Sequence, residues 1–533
     1  MFSRLGLGSR LYRNRVYRTY YTQLSSTKSN SRYGTIVKTS AIVLGVGGSI
    51  YVLDRYFYSS LLTRSIRALY VLTWIAYAYT RPQQDYNQLH EIAAESLLNL
   101  LMTNKGLYIK IGQAIANQGS LFPPAYQKRF ARLYDDAPIE PWSQVDKTLK
   151  KNLGPNYEQD HFISIDHNPI ASASIAQVHK GILKNGQAVA LKVQHHYIEK
   201  QLVVDLFIYR LMSRVYEKVF DLPMSFFTSY ISKQLSTETD FINEMKNSEK
   251  LFELMQNESD LDIYIPQVFS QFTTKQILIA EWIDGVSLVD KQLLIDSGFD
   301  VNSMITKYLQ LLGRQTFKYG FVHADPHPGN LKIRFKNNRQ QLVLLDHGLY
   351  VTLDPKFKKE YAELWEYIFL LNNKGIETIA RDWGINSVDL FASSVLLRPV
   401  NINGKIDEDR DISRFLKDFL SDESKFPLQL LFLGRNMRMM QNLNQSYGSP
   451  VNRINILTKE LVNSLLYMKQ TPFQYLQLLL IKVNLFFSSI FFNMVRFRQI
   501  LLGDRYGGKG VGAEDYFEVY MKNTAKAMGV DWV

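Results

Sequence analysis

The sequence predicts an α+β protein of two lobes, a small antiparallel sheet followed by a mainly helical part. Three observations predict it. Residues 158 to 195 carry short β-rich runs, "DHFISI", "AQVHKGIL" and "AVALKVQ", divided by Asn-Pro and Asn-Gly turns. Helical periodicity returns over residues 198 to 257 and dominates from about residue 298. Two acid-bearing motifs, "HADPHPGN" at 323–330 and "LLDHGL" at 344–349, each follow an apolar run, and the first is too rich in Pro and Gly to be helical.

At 533 residues the chain is long enough for two or three units, and 46% apolar residues with 13% aromatics exclude global disorder. The absence of cysteine excludes disulfides and thiolate metal sites. The net charge of +12 is concentrated at one end, because residues 1 to 53 hold eight Lys or Arg and no acid. A basic face for nucleic acid is therefore not expected.

Taken in order, residues 1–33 are Arg-rich, Ser-bearing and acid-free, the composition of a mitochondrial targeting segment. Residues 34–56 then read as a single transmembrane helix. Its uncharged stretch "TSAIVLGVGGSIYVL" rises about 22 Å, and Gly34 to Val37 with a snorkelling Lys38 extend it to a marginal span. Basic residues precede the span and Asp54 follows it, which places the N-terminus on the matrix side and the remaining chain in the intermembrane space. Residues 68–79 suit a packed or interfacial helix. Residues 84–118 read as one helix, with Leu89, Ile92, Ala93, Leu97, Leu98 and Leu101 at core spacing, ended by "LFPPAY". "HEIAA" at 90–94 begins like a zinc-protease helix, but Ala94 occupies the second ligand position. "QVFSQFTTKQILIAEWIDG" reads as two further strands. The long apolar segment 473–495 is interrupted by Lys482 and Asn484 and reads as a buried helix of the helical lobe.

The motifs point to phosphoryl transfer from a nucleotide. That chemistry uses a lysine on the phosphates, an acid to fix the lysine, an acid and an amide to hold Mg²⁺, and another acid to orient the acceptor. "VALKV" places Lys192 on a strand among alternating apolar residues. "HADPHPGN" has the His-x-Asp-x-x-x-x-Asn spacing of a kinase catalytic loop, giving Asp325 as the catalytic acid and Asn330 as a metal ligand. "LLDHG" supplies Asp346 as the second ligand. His323 fits a packing and hydrogen-bonding role.

With "YIKIGQ", "ASASIAQVHKG", "VALKVQ", "ETDFINEMKN", "EWIDG", "HADPHPGN" and "LLDHG" in this order, the chain resembles the UbiB/ADCK family of atypical, protein-kinase-like proteins over about residues 60 to 460. The resemblance implies an atypical kinase-like two-lobed fold: a helical extension at 57–155, an N-lobe at 156–290 and a C-lobe with C-terminal helices at 291–533. It implies ATP or ADP with Mg²⁺, bound by Ala171, Ser172, Ala173, Ser174, Lys192, Glu281 and Ile283. It makes Glu244 the ion-pair partner of Lys192, and makes Lys110 and Gln113 cleft-gating residues that reach Glu238 and Asp240. The alanine loop, where kinases carry glycines, implies altered nucleotide preference and weak protein phosphorylation. A lysine in the cleft favours a small or lipid-like substrate. The mitochondrial leader resembles the branch linked to coenzyme Q and lipid homeostasis at the inner membrane, with membrane lipids or a quinone-like molecule as partners. The sequence departs from the family pattern at His196, where proline is common, and at Met245, where alanine is usual. Two other readings remain open: a nucleotide-gated lipid-binding scaffold, and a small-molecule phosphotransferase of the aminoglycoside-kinase type, which has no reason to carry "YIKIGQ".

Overall fold

The computed structural model describes residues 45–55, 58–116, 123–134, 139–221, 224–370, 372–385, 425–466 and 471–501. The targeting segment and the first part of the predicted span lie outside the described residues. Two compact units are distinguished, residues 1–66 and 67–533. In the first, residues 45–55 are helical and expose Val46, Ile50, Tyr51 and Leu53. Asp54 is buried and accepts from the Leu62 and Thr63 amides, which fixes the start of helix α1 (Leu61–Tyr79).

In the second unit, α2 (Tyr86–Asn104) and α3 (Leu107–Ala116) replace the single helix expected over 84–118. Lys105 and Gly106 both adopt positive φ, 57° and 54°, and turn the chain between them. Leu89, Ala93, Leu98 and Leu101 are buried as expected, whereas Ile92 is 47% exposed. α4 (Pro124–Phe130) packs on α2 and α3 through Tyr126 and Phe130. Gly112 lets α3 approach closely, since a Cβ there would meet Leu133 Cδ1 at 2.4 Å and Leu101 Cδ1 at 2.6 Å.

Next come α5 (Trp142–Leu153), the short α6 (Tyr157–His161) and the strands β1 (Phe162–Ile165), β2 (Ala171–Ser172), β3 (Ala176–Leu183) and β4 (Ala188–Gln194). Helices α7 (Ile198–Phe220), α8 (Met224–Glu238) and α9 (Phe241–Met255) precede β5 (Ile263–Tyr264), β6 (Ile277–Glu281) and β7 (Val286–Ser287). One antiparallel sheet has the order β1-β3-β4-β6, with β2 paired to β3. Of the two strands expected in 267–285, only β6 joins this sheet as a strand; Val268 contributes a single bridge to Ala280. Along β4, Val189, Leu191 and Val193 face the core beneath α5, so the period of two turns Lys192 to the other face.

The larger lobe continues with α10 (Lys291–Asp296), α11 (Val301–Gly313), β8 (Phe321–His323), β9 (Leu331–Lys336), β10 (Arg339–Leu344) and β11 (Tyr350–Thr352). Strands β5-β10-β9-β7 form one small sheet and β11-β8 another. Helices α12 (Pro355–Phe369), α13 (Asn373–Asp382), α14 (Gln429–Ser446), α15 (Arg453–Leu466) and α16 (Pro472–Leu501) complete it. Its core includes Leu309, Phe317, Leu342, Trp365, Met440 and Leu461.

The expected burial of the segment 473–495 is corrected here. Leu478, Ile481, Leu485 and Phe492 of α16 are buried against the lobe, but the opposite side of the helix is exposed. Apolar composition predicts a helix with something against it, not that protein surrounds it.

Candidate active site

Hairpin register builds the acidic end of the cleft. β9 and β10 pair antiparallel from Lys336–Arg339 back to Leu331–Leu344, around a turn in which Asn337 and Asn338 both take positive φ. The residues flanking the hairpin base are therefore neighbours. The Leu345 amide donates to the Asn330 carbonyl at 2.9 Å, and the Asn330 side-chain amide donates to Asp346 Oδ2 at 3.2 Å. The loop before β9 is shaped by its own backbone, with His327 N donating to Asp325 O and Asn330 N to His327 O.

Lys192 enters from the sheet. Its ammonium donates to both oxygens of Glu244 in α9, at 2.7 and 2.8 Å, and to Asp346 Oδ1 at 3.2 Å. Burial alone would lower the lysine pKa, but the Asp346 and Glu244 carboxylates outweigh it and raise the value, so the lysine stays charged. Burial pushes Glu244 up, against the pull of Lys192, and the charge of Asp346 adds to the rise. Desolvation would raise Asp346 as well, but Lys192 outweighs it and draws the carboxyl well below the usual carboxylate range.

Lys110, on α3, is paired with Glu238 at the end of α8, 3.1 Å apart. Burial would lower its pKa, yet Glu238, Asp325 and Asp346 together raise it, which puts this cation in the field of both acids of the cleft. Gln113 and Asp240 are placed differently. The Gln113 amide donates to the Leu133 carbonyl at 3.0 Å, and Asp240 caps α9 by accepting from Ile242 N at 3.1 Å.

In the alanine loop, Ala171 and Ser172 pair with β3, the Ala173 amide donates to Ala176 O at 2.7 Å, and Ser174 is buried. His195 Nε2 donates to Ala173 O at 3.1 Å. The loop is a closed hairpin whose Ala173 N–H is already engaged. Glu281 and Ile283 lie where β6 leaves the sheet: the Glu281 carboxylate accepts from the Tyr264 hydroxyl and the Ile283 carbonyl from Lys332 Nζ at 3.2 Å.

His323 and His347 are held by hydrogen bonds within the site. His323 Nε2 donates to the Asp346 carbonyl while Nδ1 accepts from Asp325 N, so the ring links the two acid loops. Burial holds His347 down to about 3, and its Nδ1 accepts from the Tyr350 hydroxyl at 3.1 Å. Among the described residues no group of three or more His, Asp or Glu side chains forms a metal cluster.

One further residue completes the site. Arg435 of α14 donates to Asp325 Oδ1 at 2.9 Å, with both side chains largely buried. Its neighbour Asn436 donates to His323 O at 2.6 Å. No sequence signal separates Arg435 from the other cation of "RNMRMM", because its partner lies 110 residues away.

Comparison with known proteins identifies the family. Residues 132–380 match the ABC1 atypical kinase-like domain. An ABC1 family protein of Schizosaccharomyces pombe is 35% identical over 473 residues, covering 85% of this chain and 88% of that one. This chain belongs to the ABC1 family. Another ABC1 family protein, lscO of Purpureocillium lilacinum, is 34% identical over 465 residues, 76% of this chain and 78% of its own. The AarF domain-containing kinase 1 of Drosophila melanogaster is 35% identical over 319 residues, 59% and 61% of the two chains. Among solved structures, the Mycobacterium tuberculosis protein Rv3197 in complex with erythromycin aligns with 68% of this chain and 96% of its own, at 22% identity and a TM-score of 0.42. The family match and the sheet topology together give this ABC1 chain an α+β kinase-like fold with a helical C-terminal part.

Proposed function

We propose that this ABC1 protein is an ATP-dependent atypical kinase or ATPase of the mitochondrial inner membrane, acting in coenzyme Q distribution or biosynthesis and in lipid homeostasis. The observation that carries the nucleotide chemistry is the contact of Lys192 with Glu244 and Asp346, beside Asn330. Glu244 orients Lys192 for the α and β phosphates of ATP or ADP. Asp325 orients the acceptor oxygen and takes its proton, and Arg435 holds that carboxylate in place.

The donor set fits Mg²⁺, a hard cation that takes one or two protein oxygens and completes its shell with phosphate and water. The Asn330 amide oxygen and the Asp346 carboxylate would hold it. When bound, Mg²⁺ neutralises charge on the phosphates. Lys110 occupies the cleft near Asp325 and Asp346, which supports a small or lipid-like acceptor, or water, over a protein. The acid-free leader and the apolar stretch of residues 39–53 support the inner membrane, with the kinase-like part facing the intermembrane space.

The test uses the purified full-length chain. Mg-nucleotide should raise its melting temperature, and Asp346→Asn should abolish the rise because the charge at the metal position is lost. Hydrolysis should increase with quinone-like lipids. An equal rise in the Asp346→Asn variant would sink the assignment of the site. Nucleotide binding without turnover, with or without lipid, would favour a nucleotide-gated scaffold.

A further inference from the structure

We propose that α16 is an in-plane membrane contact, with one side fixed to the lobe and the other side lying in the headgroup and upper acyl region of an anionic phospholipid surface. The two sides are unlike. On the protein side, Leu478, Ile481 and Leu485 are buried, and Asn455 donates to the Leu485 carbonyl at 3.2 Å and to Ser489 Oγ at 2.9 Å. Further along, Arg496 and Gln499 both donate to the Gly448 carbonyl at 2.9 Å.

The opposite side carries Leu476, Val483, Phe487, Ile490, Met494 and Phe497, each between 43% and 67% exposed. At about 100° per residue these lie on one stripe, opposite Ile481 and Leu485. An exposed apolar stripe this long is not ordinary protein surface.

Charge identifies the occupant. The 30 residues of α16 contain three cations, Lys482, Arg496 and Arg498, and no acid. Helical geometry puts Lys482 and Arg498 on opposite flanks of the stripe, where their stems reach headgroup phosphates. Apolar residues between flanking cations suit an anionic lipid surface. The helix is long and apolar enough to cross a bilayer. From Leu478 to Gln499, however, it is bonded to the lobe, and crossing in that pose would carry the polar side chains of α15 into hydrocarbon. It therefore lies along the membrane. This contact is separate from the predicted span at 34–56 and independent of nucleotide chemistry.

The absence of cysteine makes a direct test possible. Leu476→Cys, Phe487→Cys and Phe497→Cys, each in the full-length chain, are labelled with an environment-sensitive fluorophore; Asn185→Cys on an exposed turn is the control. With phosphatidylcholine vesicles containing phosphatidylglycerol, all three labels should brighten and shift to the blue. A nitroxide placed shallow in the acyl chains should quench them equally, while the label at 185 stays unchanged. Lys482→Glu with Arg498→Glu should weaken the response to anionic vesicles by about tenfold or more, taking about 1 kcal/mol per cation. Three results would overturn the proposal. Labels that stay in water on vesicle-bound protein would show that the stripe does not face lipid. A depth gradient from 476 to 497 would show a crossing helix. Self-association without lipid that Phe487→Glu abolishes would make a second copy the occupant. Nucleotide hydrolysis in the labelled proteins reports on the active site separately.

Discussion

Replacing Glu140 with Gln should destabilise the protein at neutral pH and have little effect in acid. Glu140 is buried just before α5, and its backbone exchanges hydrogen bonds with the Gln177 side chain on β3. Its carboxylate accepts from His196 Nδ1 at 2.6 Å and from the His196 amide at 3.2 Å, and lies 3.6 Å from His195 Nδ1. Burial would raise the carboxyl pKa, but the two imidazoles outweigh it and hold it down to about 2, against an ordinary 4.5. At about 1.4 kcal/mol per pKa unit this difference is about 3 kcal/mol. His196 is 43% exposed, so screening reduces the contribution to about 2 kcal/mol. The folded pKa is depressed, so the stabilisation is complete above the unfolded value near 4.5 and is lost as pH falls through about 2. Thermal unfolding of wild type and Glu140→Gln across this range should show a melting-temperature gap of about 2 °C at pH 7 that closes on acidification. Because His195 also holds the Ala173 carbonyl, the variant should bind nucleotide more weakly. A gap that is constant from pH 7 to pH 3, or that widens in acid, would refute the reasoning.

Arg435→Met should lower turnover by about 10- to 100-fold, the value of one charge-assisted hydrogen bond, while the nucleotide-induced thermal shift stays intact; unchanged turnover would remove Arg435 from the site. Gly112→Ala should cost about 1–3 kcal/mol by forcing α3 away from Leu133 and Leu101, read as a lower melting temperature. Ala173→Gly should loosen the closed loop and raise autophosphorylation, measured by radiolabel incorporation; no increase would show that the missing β-carbon is irrelevant.

The parts of the site that sequence made legible are those fixed by local rules. Lys192 had to sit on a strand between apolar neighbours, and Asp325 and Asp346 each follow a short strand. The missing parts depend on where distant segments meet. Arg435 finds Asp325 only because α14 packs behind the loop, with Asn436 bonded to His323 O. His196 looked like a small departure from a common proline, yet its backbone N–H donates to Glu140, a bond that proline cannot make. Likewise, "YIKIGQ" marks a helix near the cleft, but spacing alone did not separate Lys110, which meets Glu238, from Gln113, which meets Leu133. The break at Lys105 and Gly106 was hidden because apolar periodicity continues on both sides of it.

The hairpin between Asn330 and Asp346 bears on how far such a site can drift. The two residues are brought together at the base of β9 and β10, and the Asn337–Asn338 tip lies at the far end. The sixteen-residue separation is therefore the length of an arm rather than a requirement of the chemistry. Arms lengthened or shortened by equal amounts on both strands leave the base pairing, and with it the amide–carboxylate contact, unchanged. Insertions should accumulate at the tip without cost to the site, and a search for distant relatives by fixed spacing would discard proteins whose acidic end is intact.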